Sequence, residues 1–269
     1  MTITQKIKLR SRSFKIHLKE LGGLWKTCKY FFEKHILTKE ELRLIIKGKQ
    51  FPIYLRNSTS DISIFAQIFI NKDFEDGIKD IYSPEVIIDC GANIGLATLY
   101  FQYRYPEAFI YSLEPEPSNY ILLKKNVSSY NNIQTFEKAL WSGSERLKLK
   151  INTEKDSFYV SESTEKNTIN IEAVSLNDFI KENCINQIDL LKIDIEGSEL
   201  PLFKSNLEWL AKTDVIILEI HERINPGSTA YINNLLSDSF SISYTGEYIK
   251  YSRKNQFKRH TVEKHGREV

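Results

Sequence analysis

The sequence predicts an α/β fold with a doubly wound, mainly parallel sheet, and the pattern from residue 85 onward supports this prediction. Residues 86–88 are apolar at consecutive positions, as expected for a strand that helices cover on both faces. Segments with strand character then alternate with helical segments, which is typical of parallel sheets. A turn containing glycine follows the first strand, as in a tight strand-to-helix connection.

Length and composition indicate a folded chain of one large domain with an appendage. The 269 residues are 41% apolar and 27% charged, which is enough to bury a sizeable core. The longest apolar runs, such as residues 215–218, are too short to span a bilayer, and no apolar signal core precedes Trp25. Three cysteines in no metal-ligand spacing fit a reducing compartment and disfavour a structural zinc site. We therefore expect a cytoplasmic protein.

Residues 1–82 are expected to form a preamble to the sheet. Apolar residues between positions 14 and 32 recur at steps of four and three, which predicts an N-terminal helix. Residues 42–56 alternate loosely around a Lys-Gly-Lys turn and predict a β-hairpin, and residues 60–70 predict a short helix.

The main domain is expected over residues 83–253, with a basic tail over residues 254–269. Its first helix is predicted at residues 94–105, before Pro106, and the next at residues 117–130. Two alternating stretches between residues 147 and 173 flank a polar loop at 152–167, which predicts an inserted hairpin. A final antiparallel hairpin is expected around residues 245–247. The further strands are predicted at residues 109–113, 134–137, 188–193 and 215–220.

The charge distribution is uneven along the chain. Residues 1–35 contain nine Lys and Arg against two acids, and residues 250–269 contain seven against two. The part between them is therefore at −10, within a total of +2. Basic ends on an acidic body can attract anionic lipid or a polyanion, although solvated tails are commoner. We expect no nucleic-acid partner, and peripheral contact of the basic N-terminus with the inner face of an anionic membrane stays open.

Ligands of doubly wound sheets bind beyond the carboxyl ends of the strands, so the residues there indicate the chemistry. The first strand ends in DCGANIG at residues 89–95, where Gly91 permits close backbone approach and Gly95 lets the helix pack tightly. A further glycine that a dinucleotide-binding turn requires is missing. Glu114 ends the second strand, where a carboxylate can accept both hydroxyls of a ribose. A ribose site without a pyrophosphate site suggests S-adenosylmethionine.

These motifs, in this order and spacing, resemble the FkbM-type methyltransferase family. The resemblance covers about residues 50–222 and implies a Rossmann-like class I methyltransferase. The family uses S-adenosylmethionine, usually for O-methylation in sugar, glycolipid, polysaccharide or natural-product pathways. The matching segments are residues 54–56 and 60–61, residues 89–95, Glu114-Pro115, KIDIEG at residues 192–197, and Glu219-Ile220-His221.

The resemblance also implies a cofactor site, position by position. The methionine part would be surrounded by Asp89, Gly91, Asn93 and Gly95, the ribose held by Glu114, the adenine bordered by Ala139 and Leu140, and the sulfonium and amino end faced by Asp194.

Methyl transfer to an alcohol requires a group that removes the hydroxyl proton. Asp194, Glu196, Glu219 and His221 are all predicted at carboxyl ends of adjacent central strands. We take Asp194, Glu196 and His221 as the catalytic candidates, with neutral His221 as a base. The alternatives are that these groups are structural, or that the carboxylates bind Mg²⁺, which prefers oxygen ligands.

Two other functions stay open on sequence grounds. An RNA or protein methyltransferase would share the fold, but amino-group methylators often have Asn/Asp-Pro-Pro-Tyr/Phe where this chain has residues 194–197. A non-catalytic scaffold is the second alternative, and the intact Gly91, Gly95 and Glu114 argue against it. The acceptor cannot be named, and its specificity is expected in residues 152–167, the preamble and the Pro226-Gly227 segment.

Overall fold

The structure of the protein, a computed structural model, describes residues 22–23, 40–57, 59–152, 157–161 and 168–254. The predicted N-terminal helix, with its basic residues and Cys28, lies outside the described residues apart from Gly22 and Gly23. The basic tail beyond residue 254 and most of the polar loop at 152–167 lie outside them as well.

The preamble forms the predicted hairpin and helix. Strands β1 and β2 pair antiparallel, with Leu42 opposite Leu55. A short α-helix follows and continues as a π-helical segment that ends at the left-handed Lys72. The elements are β1 Glu41–Leu44, β2 Ile53–Arg56, α1 Asp61–Phe65, the π-helix Ala66–Asn71 and α2 Glu75–Ile78.

The first half of the main domain consists of strand–helix units. Helix α4 begins where Glu116 caps it, because the Glu116 carboxylate accepts a hydrogen bond from Asn119 N at 2.7 Å and Pro117 occupies the first turn. The elements are β3 Val86–Cys90, α3 Leu96–Arg104, β4 Phe109–Leu113, α4 Pro117–Val127 and β5 Ile133–Phe136.

A small separate sheet interrupts this alternation. The predicted inserted hairpin is confirmed as β7 paired antiparallel with β9. The segment predicted as a polar loop between them contains a further strand, β8, which pairs antiparallel with the other edge of β7. Ala139 and Leu140 were not predicted as strand residues, but they lie in β6, which pairs parallel with β9. A strand of three residues is too short to show a period in the sequence. The elements are β6 Ala139–Trp141, β7 Arg146–Asn152, β8 Ser157–Ser161, β9 Thr168–Ser175 and α5 Leu176–Glu182.

The last part completes the central sheet. The predicted C-terminal hairpin is confirmed, since β12 and β13 pair antiparallel and β13 also pairs antiparallel with β11. The elements are β10 Ile188–Ile193, α6 Glu199–Phe203, the 3₁₀ helix Glu208–Lys212, β11 Thr213–Glu219, α7 Ser228–Leu236, β12 Phe240–Thr245 and β13 Tyr248–Arg253.

The seven strands of the central sheet have the order β12-β13-β11-β10-β3-β4-β5. The five strands from β11 to β5 are parallel, and only β13 runs against its neighbours. This is the predicted α/β, Rossmann-like, doubly wound and mainly parallel sheet. Because β3 and β10 are neighbours at its centre, the turns that follow them meet at one edge. None of the described helices combines the length and the apolar surface that a membrane crossing requires.

The described preamble and the main domain share one hydrophobic core. Leu42, Leu55 and Phe65 of the preamble pack in the same cluster as Leu99 and Phe101 of α3. The predicted boundary after residue 82 therefore lies within a continuous core, and the division into a preamble and a main domain stays a prediction.

A buried asparagine connects β2 to the helices of the main domain. Asn126 donates from its side-chain amide to Tyr54 O at 3.1 Å and Ile94 O at 2.7 Å, and it accepts from Tyr54 N at 2.7 Å. The Asn126 side chain thus connects the backbone of β2 in the preamble with the backbone of Ile94, in the turn before α3.

We expect Asn126→Ala to lower the free energy of unfolding by about 2–4 kcal/mol, because it leaves three backbone groups without their partner. Urea denaturation measures this change. Asn131→Ala, at an exposed position a few residues away, is the control and should change stability by less than about 0.5 kcal/mol. Equal effects of the two substitutions would contradict this account.

Candidate active site

A cleft with a volume of about 240 Å³, partly open to solvent, lies at the carboxyl edge of the central strands. Its lining includes Gly91 and Asn93 from the turn after β3, and Asp194 and Glu196 from the turn after β10. Glu219, the last residue of β11, also lines it. The structure therefore brings together five of the residues that the sequence placed at strand ends.

Gly91 is required by the protein backbone itself. A Cβ atom on Gly91 would lie 1.7 Å from the carbonyl oxygen of Asp194, and Gly91 has a φ of +75°. The turns after β3 and β10 approach each other too closely for any side chain there. We predicted that this glycine permits approach of a ligand, but the close approach that the structure shows is to Asp194.

Two residues other than glycine also adopt left-handed backbone conformations at the cleft. Asn93 has a φ of 51° and Glu196 has a φ of 50°. The Asn93 side chain accepts a hydrogen bond from Ile94 N at 2.8 Å, which helps hold its conformation. Such conformations are uncommon outside glycine and concentrate at functional sites.

Lys192 has the central position in the site. Its ammonium group donates to Gly91 O at 2.8 Å and lies 3.2 Å from Asp89 Oδ1 and 3.4 Å from Asp194 Oδ2. Lys192 and Asp89 are partners in the β10–β3 ladder, so their side chains share one face of the sheet, and Asp194 is two residues further on. Burial alone would lower the pKa of Lys192, but Asp89 and Asp194 raise it above its ordinary value.

Asp89 belongs to the foundation of the site. Its side chain is fully buried, and its Oδ2 accepts a hydrogen bond from Thr98 Oγ1 at 2.6 Å. Asp89 thus contacts Lys192 and α3 in the structure, and its predicted contact with a ligand stays a prediction. Gly95 likewise faces a helix, because a Cβ there would lie 2.7 Å from Leu123 Cδ1.

His221 lies among three carboxylates. Its Nδ1 pairs with the buried Glu199 at 2.9 Å, while Nε2 is 3.3 Å from Glu196 Oε2 and 3.8 Å from Glu219 Oε1. Burial lowers the pKa of His221, but the hydrogen bond and charge of Glu199 and the other acids outweigh it and raise the pKa to about 9. The surrounding acids therefore favour the protonated form of His221, and Glu199 holds the ring in orientation.

The acids around this imidazole are shifted in the same direction. Burial and the charge of Asp194 raise the pKa of Glu219 to about 8, although His221 and Lys192 oppose the shift. Burial and Asp194 also raise the pKa of Glu196. The site thus retains protons that isolated carboxylates would have lost.

The predicted ribose and adenine residues lie away from the cleft lining. Glu114 is buried, and its two carboxylate oxygens accept hydrogen bonds from Asn93 N at 2.7 Å and Glu116 N at 2.9 Å. It therefore joins the turns after β3 and β4, and burial raises its pKa to about 7. Ala139 and Leu140 are buried in β6, and Leu140 packs in the core with Cys90.

Four residues of the site were given no role from sequence. Lys192 was visible only as the first letter of KIDIEG, and Glu199 as an acid beyond it. Glu247 and Tyr248 reach the cleft from the C-terminal hairpin, whose position beside β11 the sequence did not specify. Of these four, only Lys192 had a signal in the sequence: it lies at the end of a predicted central strand, as Asp89 does, so the two residues could have been predicted as neighbours.

The arrangement offers a set of donors to a cation. Asp194, Glu219 and His221 have ligand atoms within 4.8 Å of one another. Mg²⁺ prefers oxygen ligands, whereas this set includes an imidazole whose Nδ1 is already paired with Glu199. Lys192 already neutralises part of the Asp194 charge, so the donor set is a poor fit to Mg²⁺.

Comparison with known proteins follows the geometry. The model of a family described as "Methyltransferase FkbM domain" matches residues 89–258. "Methyltransferase sdnD" of Sordaria araneosa is 26% identical over 210 residues, which covers 64% of this chain and 80% of that protein. "Methyltransferase 1" of Beauveria bassiana is 24% identical over 164 residues, covering 52% of this chain and 65% of that protein. "2-O-methyltransferase NoeI" of Sinorhizobium fredii is 23% identical over 193 residues, covering 65% of this chain and 76% of that protein.

We expect Lys192→Met to lower the free energy of unfolding by about 3–5 kcal/mol, because Asp89 then stays buried without its cation. Urea denaturation at pH 7 measures the loss. Adding Asp89→Asn to the same protein should recover part of it, because the unpaired buried charge is gone. Lys79→Met, which removes an exposed lysine, is the control and should lower the free energy of unfolding by less than about 1 kcal/mol. An equally small loss in Lys192→Met would contradict the stabilising role of the Lys192 ion pairs.

Stability should fall as the pH rises from about 6.5 to 9. The folded-state pKa of His221 is raised above its ordinary 6.5, so its contribution is complete below that value and is lost as the pH passes through about 9. The raised pKa of Glu219 acts with the same sign. The free energy of unfolding, measured by urea denaturation at several pH values in this range, should depend less on pH in His221→Gln than in the parent. A variant with the same pH slope as the parent would show that His221 is not the group responsible.

Proposed function

The chain belongs to the FkbM family of S-adenosylmethionine-dependent methyltransferases, and from that premise we propose that it methylates a hydroxyl group of a small acceptor. The observation that supports this proposal is the cluster of carboxylates on the cleft wall. Asp194, Glu196 and Glu219 line the cleft beside the glycine turn, and Glu219 has a pKa of about 8. A base with a pKa near the operating pH suits removal of a hydroxyl proton.

The residues present fit the cofactor. The cleft opens at the carboxyl edge between β3 and β10, where ligands of doubly wound sheets bind. Asp194 would stabilise the positive charges of the amino and sulfonium groups, and Asn93 would contact the same part of the molecule. Glu114 joins the turns after β3 and β4 through Asn93 N and Glu116 N and is not part of the cleft lining, so its contact with the ribose stays a prediction. When bound, S-adenosylmethionine supplies an electrophilic methyl group.

Glu219 is the group that best fits the role of base. It lines the cleft, whereas His221 lies behind it with Nδ1 occupied by Glu199. Because Glu199 lies 2.9 Å from Nδ1 of His221 and Glu196 lies 3.3 Å from Nε2, both ring nitrogens already face carboxylates, and we move the base role proposed from sequence to Glu219. His221 then acts as a positioning residue that fixes Glu196 and Glu219.

The acidic cleft favours a small acceptor over a nucleic acid. Nucleic-acid sites depend on cations that neutralise phosphates, whereas several carboxylates line this cleft. One relative is named a 2-O-methyltransferase, which agrees with transfer to oxygen in that protein. We therefore propose a sugar, glycolipid, polysaccharide or natural product as the acceptor, and place the RNA and protein alternatives second.

We expect labelled S-adenosylmethionine to transfer its methyl group to hydroxylated acceptors, with a rate that rises as the pH passes through about 8. Glu219→Gln should lose this pH dependence and reduce kcat by roughly 100-fold or more. Asp194→Asn should also reduce kcat while it leaves the fold intact. Binding of S-adenosylhomocysteine, measured by calorimetry, separates loss of chemistry from loss of the cofactor.

The same assay tests the alternatives. Full activity in chelator is expected, whereas silencing by chelator with recovery in Mg²⁺ would favour a metal mechanism. Transfer to amines alone would reject the oxygen acceptor. Full activity of both Asp194→Asn and Glu219→Gln would reject the catalytic assignment, and failure to bind S-adenosylhomocysteine would reject an active enzyme.

A further inference from the structure

One part of the cleft lining comes from outside the strand-end turns. We call this part the acceptor wall, and it consists of Ile64, Gln67, Ile68, Phe74, Glu247 and Tyr248. We propose that the acceptor wall binds an uncharged sugar, with Tyr248 and Glu247 contacting its hydroxyl groups. This inference rests on the proposed O-methyl transfer, and it specifies which acceptor class the cleft selects and which residues select it.

Tyr248 is placed beside the proposed base by strand pairing. It lies directly opposite Glu219 in the antiparallel ladder between β13 and β11, so the two side chains share one face of the sheet. Its ring stacks on Phe74 with centroids 4.8 Å apart and an interplanar angle of 29°. Phe74 is almost fully buried and therefore fixes the ring. Tyr248 is thus a rigid group at the reacting end of the cleft.

The hydroxyl of Tyr248 is available for a ligand. Among the residues that the structure describes, it has no hydrogen-bond partner, although it lines a polar cleft. The hydroxyl is not among the fully buried polar atoms that lack a partner, so it can be reached from the cleft. An acceptor hydroxyl would provide that partner within reach of Glu219.

The charge of the cleft disfavours an anionic acceptor. Four carboxylates line it, from Asp194, Glu196, Glu219 and Glu247. In the described part of the chain, the lysine that lines it is Lys192, which is already paired with Asp89 and Asp194. A phosphate or carboxylate on the acceptor would meet like charges in a partly desolvated site, whereas neutral hydroxyls can donate to these oxygens.

The apolar part of the wall suits a sugar ring. Part of this surface is one helical face, because Gln67 and Ile68 come three and four residues after Ile64. Together with the Phe74 and Tyr248 rings, they offer an apolar surface interrupted by an amide, a phenol and a carboxylate. A pyranose presents the matching combination, with C–H groups on its ring faces and hydroxyls at its edges.

The test uses methyl α-D-glucopyranoside and the corresponding methyl glucuronide as acceptors for labelled methyl groups. We expect the parent to favour the neutral glucoside by roughly tenfold or more in kcat/KM. Tyr248→Phe and Glu247→Gln should each raise the KM for the glucoside by roughly fivefold, the effect of one lost hydrogen bond. Glu247→Gln should also lower the ratio of kcat/KM for the glucoside to kcat/KM for the glucuronide, because it removes one negative charge from the cleft. Calorimetry should show S-adenosylhomocysteine binding unchanged in both variants, which a general structural defect would not allow.

Matched controls are present in the same molecule. Tyr244→Phe removes a hydroxyl from the other strand of the hairpin, and that side chain is 68% exposed. Glu107→Gln removes an exposed carboxylate before β4, at the opposite edge of the sheet. Both controls should keep the KM of the parent.

Each other outcome contradicts a defined part of the proposal. Transfer to glucoside and glucuronide at equal efficiency would overturn the selection against anions. Glucoside transfer with both wall variants equal to the parent would overturn the acceptor wall and leave O-methylation standing. Transfer only to hydroxyls of molecules other than sugars would overturn the sugar assignment alone, and no transfer to any hydroxyl would overturn the proposed function with it.

Discussion

The ammonium group of Lys192 is enclosed by oxygen atoms from two strands and the turns that follow them. It pairs with Asp89 at the end of β3, with the carbonyl of Gly91 beyond that strand, and with Asp194 beyond β10. A buried lysine has its charge only where such partners offset the loss of hydration. The two central strands must therefore end in register, and every other group of the site is positioned relative to that point.

Much of this arrangement follows from local sequence. The apolar run in β3, the turn with Gly91 and the hairpin around Gly246 have short-range signals, and the structure agrees with them. Gly91 was expected to make room for a ligand, but the group that approaches it in the structure is the backbone of Asp194, 103 residues further along the chain. Sequence pattern indicates that a position must lack a side chain but does not identify the neighbouring atom.

The proton chemistry of the site was less predictable. His221 and Glu219 were correctly placed at the end of one strand, but their pKa values depend on burial and on Glu199, Glu196 and Asp194, which belong to another segment. The contribution of β13 was also hidden, since an antiparallel strand inserted beside β11 brings Tyr248 into the cleft from far along the chain. Properties that arise from several segments at once appear only when the fold is complete.

The left-handed backbone of Asn93 and Glu196 has a consequence for the evolution and engineering of this protein. Each conformation costs about 1–3 kcal/mol for a residue with a side chain, and glycine would remove most of that cost. Random selection for heat resistance would therefore favour glycine at these two positions. Such variants would exchange catalytic groups for stability, so the best-tolerated sequence and the working sequence differ at the cleft. The side chains of Asn93 and Glu196 therefore reach the cleft at a cost in stability.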